Sequence, residues 1–109
     1  MGMSIDRLAE EIRSGLRQCA LLRVWGEDVF RPGEALYRVE GATFSGDVLR
    51  IELSEVQGAG REVLEIAQPA QAKLKGKSLR IGTAVSVTGF GRTWKPISGA
   101  EPALLLEQP

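Results

Sequence analysis

A chain of 109 residues has room for one domain around one core, and its 43% hydrophobic and 26% charged residues match globular proteins in general. It holds no histidine and a single cysteine, which excludes most hydrolase triads, most zinc sites and any intramolecular disulfide. The 14 basic and 14 acidic residues cancel, yet residues 1–65 hold eight arginines against twelve acids, a net of −4, while 66–100 hold six basic residues and no acid, a net of +6. Such a division marks an anion-binding face, or else two halves whose charges pair when the sheet folds them together.

The chain is expected to open with a helix over residues 1–19. Ile5, Leu8, Ile12, Leu16 and Cys19 recur at spacings of three and four and form one apolar stripe. Ser4 suits the N-cap and Asp6 the first turn. Cys19 then reads as a small buried apolar group.

From residue 20 the period changes from 3.6 to 2. Strands are expected at Ala20 to Trp25, Leu36 to Phe44 and Asp47 to Ser54, the last two joined at Ser45-Gly46. Leu49, Ile51 and Leu53 alternate with polar residues, as in an antiparallel sheet covered on one face. Further strands follow at Arg61 to Ala67, Ser78 to Ile81, Ala84 to Phe90 and Ala103 to Glu107. Leu64, Ile66, Val85 and Val87 are expected to face inward, and Gly76 with its lysines to form a loop. The expected class is α+β, with the N-terminal helix packed on an antiparallel sheet or a small partly closed barrel of about six strands, all one domain over 1–109.

No apolar run approaches the roughly 18 residues of a membrane span, and the opening residues lack the pattern of a signal peptide. A reduced, cytoplasmic setting is expected.

Leu21-Leu22-Arg23-Val24-Trp25-Gly26, followed by Arg31-Pro32, resembles the opening of a group of small uncharacterised bacterial proteins, in which an aliphatic-Trp-Gly strand end precedes an Arg-Pro loop. The similarity runs on through Val48 to Leu53, Leu64-Glu65-Ile66 with Pro69, and Leu79-Arg80-Ile81. The chain departs from the group at Glu27-Asp28-Val29 and Gly33-Glu34. The resemblance implies no activity.

Candidate binding residues fall in two places. Trp25 and Arg31 would form a rim in which a ring stacks and a guanidinium grips an anion, unless Trp25 is core and Arg31 pairs with Glu27 or Glu34. Phe90, Arg92, Trp94 and Lys95 interleave rings and cations on a glycine-hinged loop, as single-stranded nucleic acid binders do, with Lys73, Lys75 and Lys77 lengthening the track. A sequence pI of about 6.3 weighs against that reading and for a solvated loop with one half-buried tryptophan. A carboxylate enzyme would need Glu27, Asp28 and Tyr37 gathered in a pocket.

No metal site and no cofactor are expected. The expected function is non-catalytic binding of another macromolecule or of a second copy. Leu104-Leu105-Leu106 would offer a terminal edge strand for a homodimer.

Overall fold

The computed structural model describes residues 18–19, 21–24, 37–69, 71–75, 78–96 and 102–107. Among these, alternation of apolar and polar residues builds ten strands in two antiparallel sheets. The larger sheet runs β1 (Gln18–Cys19), β3 (Tyr37–Ser45), β4 (Val48–Glu55), β5 (Arg61–Ala67), β8 (Ser86–Gly89) and β9 (Arg92–Trp94) in spatial order. The smaller runs β2 (Leu21–Val24), β10 (Leu104–Glu107), β7 (Ser78–Thr83) and β6 (Gln71–Lys75).

The chain passes repeatedly between the sheets. It changes sheet after β1, β2, β5, β7 and β9. At the crossing after β5 Gln68 takes a positive φ of 50°, and its N–H donates to the Asp47 carbonyl at 2.6 Å. At the crossing after β7 the Val85 N–H donates to the Ala67 carbonyl at 2.8 Å. These bonds satisfy backbone groups where the ladders are interrupted. The β3–β4 hairpin turns at Gly46-Asp47, where Gly46 has φ 60°, a conformation that costs glycine little.

Period 2 also determines what is buried. Leu49, Ile51 and Leu53 of β4, Leu64 and Ile66 of β5, and Val87 of β8 point to one face and are at most 1% exposed. Leu79, Ile81, Leu104 and Leu106 of the smaller sheet are fully buried and belong to the same hydrophobic cluster. The inner faces of the two sheets therefore cover each other. In β3 the alternation survives a bulge between Val39 and Gly41, which brings Ala42 inward after Tyr37 and Val39.

Several expectations need correction. The class is not α+β with a helix packed on the sheet: the described residues are all-β, contain no helix, and do not close into a barrel. Gln18 and Cys19, assigned to the helix, lie in β1 and pair with Arg38 and Tyr37. Ladder pairing decides their conformation, whatever the periodicity of the residues before them. Ile5, Leu8, Ile12 and Leu16 lie outside the described residues. A second sheet, not a helix, supplies the apolar cover that alternation demands.

Residues 71–75, passed over as a loop, form β6. Val85 is not inward but 58% exposed, because it lies in the crossing before β8. β10 is no edge strand either: it sits between β2 and β7, with Leu104 and Leu106 in the core. The terminal leucines therefore form no free edge, and the edges of the two sheets are β1, β9, β2 and β6. No helix among the described residues is long and apolar enough to cross a membrane.

Candidate functional site

The segment from Phe90 to Lys95 is a hairpin rather than a loop. Gly89 pairs with Arg92 across the two-residue turn Phe90-Gly91, whose φ values are 53° and 73°. Positive φ at both central positions is what a type I′ hairpin turn requires. Glycine accepts this freely, but a bulky residue there is strained by about 1–3 kcal/mol. The Phe90 ring offsets the strain by packing: it is partly buried against the core and meets Tyr37 edge-on, with ring centroids 6.1 Å apart at 73°.

The rings expected to stack on a ligand are thus largely committed to the protein. Trp94 pairs with Val87, faces inward and is 3% exposed. The Arg92 guanidinium lies 5.5 Å from its ring centroid, a cation–π contact within the chain. Lys95 is exposed just beyond β9. The structure brings Phe90, Arg92 and Trp94 together on one hairpin and adds Tyr37, which the sequence had linked to Glu27 and Asp28 instead.

Tyr37 is buried, and burial holds its phenol above the usual value, with the charges of Glu55 and Glu62 acting in the same direction. It stays a neutral phenol near pH 7 and is no base. The sign follows from linkage. A group whose folded pKa is raised contributes stability present below the unfolded value of 10.0 and lost as pH rises through the folded one. Tyr37 is the chain's single tyrosine, so tyrosinate absorbance reports on it alone. We expect that titration to lie above 10.0, and stability to fall over the same range, a fall that Tyr37→Phe reduces. A midpoint at or below the free value would contradict this environment.

The outward faces of the two sheets differ in charge arrangement. Across the larger sheet one row runs Thr43, Arg50, Glu65, Thr88 and Thr93 in register, with Arg50 directly opposite Glu65. The Ser54 hydroxyl donates to Glu40 at 2.6 Å, Arg50 lies 3.9 Å from Glu52, and the Thr88 and Thr93 hydroxyls are 3.1 Å apart. Opposite signs and hydroxyls alternate there, and these contacts join residues of the same sheet.

On the smaller sheet the corresponding row is Lys73, Arg80, Leu105 and Arg23 in register. Lys73 and Arg80 are both exposed and directly opposite each other, with half-buried Leu105 next in line. Lys75 holds the neighbouring position on β6, opposite Ser78, while Glu107 lies beyond Ser78. Like charges directly opposite in a sheet are destabilising. The sequence division into acidic and basic stretches hinted at this face. The cross-strand pairing of Lys73 with Arg80 could not be seen while residues 71–75 were read as a loop.

Trp25, Arg31, Glu27, Asp28 and Lys77 lie outside the described residues. No group of three or more cysteine, aspartate or glutamate side chains among the described residues is placed to hold a metal ion. Comparison with protein-family models, with curated proteins and with solved structures gives no match.

Proposed function

We propose that this chain is a non-catalytic binding domain of the cytoplasm that engages another macromolecule through the outward face of its four-stranded sheet. The single observation behind this reading is the cross-strand pair Lys73–Arg80, two exposed cations directly opposite one another. The larger sheet sets Arg50 directly opposite Glu65, whereas on the smaller sheet the acid Glu107 stands opposite Ser78 and opposite neither cation. Arrangements that cost stability are characteristic of working surfaces. Like cations facing one another also favour a different, anionic macromolecule over a second copy, whose same face would carry the same charge.

Lys73→Glu turns the like-charge pair into an opposite-charge pair and is expected to stabilise the protein by about 0.2–1 kcal/mol. Urea unfolding at low salt measures the gain, which should shrink as salt is added. A loss of stability in both Lys73→Glu and Arg80→Glu would mean that the two cations are structural, and the reading would fail.

A further inference from the structure

The partner's chemistry follows from the shape of the charged row, an inference that rests on the binding reading above. We infer that the face takes a single-stranded nucleic acid, held through its phosphates and not through its bases. The row crosses the strands at right angles. With strand spacings of about 4.8 Å it spans about 14 Å from β6 to β2. Lys73 and Arg80 occupy one end in register, and Arg23 holds the position beyond Leu105 at the other. Two adjacent exposed cations, Lys73 and Arg80, suit a chain of phosphates, whose repeating charge can meet both at once.

Other anionic partners fit less well. A membrane surface would call for apolar side chains projecting from the same face. Among the described residues the large apolar side chain that stands exposed is Val85, in the β7–β8 crossing, and Leu105 is half-buried. Protein interfaces are depleted in lysine, the residue that with Arg80 gives this face its charge. A duplex groove is read by an inserted helix, ribbon or arm, and a flat sheet row provides none of these. The rings that would stack on bases, Trp94 and Phe90, belong to the other sheet and pack inward. Binding is therefore electrostatic and indifferent to sequence.

A net charge of zero does not oppose this, because a phosphate chain responds to the local field. Of the outward acids, Glu40, Glu52 and Glu65 lie on the other sheet, while Glu107 shares the basic face on the neighbouring row, beyond Ser78. Stacked sheets are about 10 Å apart, and side chains on the two outer faces point away from each other. At about 0.15 M salt the screening length is about 8 Å, so the basic face acts largely alone.

The test is fluorescence anisotropy with a labelled oligothymidylate. The wild type is expected to bind at low salt with a Kd of roughly 10⁻⁴–10⁻⁶ M, as sequence-independent binders do. Two phosphate contacts on a single strand should weaken binding roughly 5–10-fold between about 50 and 200 mM salt. The double variant Lys73→Glu/Arg80→Glu should bind at least about 10-fold more weakly, and Lys73→Gln/Arg80→Gln, which removes charge without reversing it, should lie between them. Circular dichroism on each variant separates lost binding from lost fold.

Absence of wild-type binding, or equal binding by wild type and folded variants, would overturn the inference. Retention on phosphatidylserine vesicles without oligonucleotide binding would reassign the face to a membrane. If Lys73→Glu stabilises the protein while no oligonucleotide binds, the face remains a binding surface and only the partner is wrong. If Lys73→Glu and Arg80→Glu both lose stability, the underlying reading fails first.

Discussion

Replacing Leu106 with alanine is expected to cost about 2–5 kcal/mol, while Leu105→Ala, one residue away, costs less than about 1 kcal/mol. Leu106 is fully buried, pairs in register with Leu79 and Leu22, and belongs to the cluster shared by both sheets. Its removal leaves a cavity bounded by strands that cannot close in without breaking their ladders. Leu105 faces the other way and is half-buried beside Arg80. Paired urea unfolding curves decide the matter. Equal losses at the two positions would mean that both faces of β10 are core, and the outward face would lose its role.

Among the described residues Gly89→Ala should be the most damaging of the glycine substitutions, at about 1–3 kcal/mol. A Cβ there would stand 2.5 Å from Leu64 Cδ2 and 3.3 Å from the Val63 carbonyl oxygen. Leu64 is fully buried and has no room to retreat, and the carbonyl is fixed in β5. Gly91 makes the contrast. Its added Cβ would meet open space, so Gly91→Ala is opposed only by its positive φ of 73°, at about 1 kcal/mol. At Gly58 and Gly60 the obstacle is the Glu55 carboxylate, the flexible end of an exposed side chain. Thermal melts should therefore rank Gly89→Ala below Gly91→Ala and below Gly60→Ala. The reverse order would show that β5 and β8 pack less tightly than the structure has them.

The strands themselves were readable wherever alternation was strict. Arg61 to Ala67 appears with the boundaries expected, and Leu49, Ile51 and Leu53 face inward as their spacing requires. What covers that apolar face was not readable, because alternation demands a cover without specifying helix or sheet. β6 was missed for a related reason. Its lysines and the following Gly76 carry loop composition, and its strand conformation depends on pairing with β7, a tertiary fact. Val85 shows the opposite error: period 2 extrapolated through Ala84 turned a crossing residue into a core one.

At the candidate site, composition gave the cations but not their arrangement. Phe90, Arg92 and Trp94 are neighbours in sequence, which alone suggested rings set against a ligand, beside the expectation of a solvated loop with one half-buried tryptophan. Pairing of Trp94 with Val87 puts the indole in the core instead. The basic stretch was visible as charge, whereas the line through Lys73 and Arg80 exists only once β6 and β7 are in register.

The interior place of β10 also bears on how the molecule comes into being. Of the described strands β2 is made second and β10 last, yet Leu21 pairs with Glu107 and Val24 with Leu104. Until the final strand leaves the ribosome, β2 and β7 have nothing to join them, and Leu79 and Ile81 lack their partners Leu106 and Leu104. The sequence-local hairpins β3–β4 and β4–β5 can form well before that, since little chain entropy opposes their closure. A nascent chain stalled short of residue 104 would thus carry one nearly finished sheet beside an apolar gap. Such an open edge is where chaperones or neighbouring chains attach.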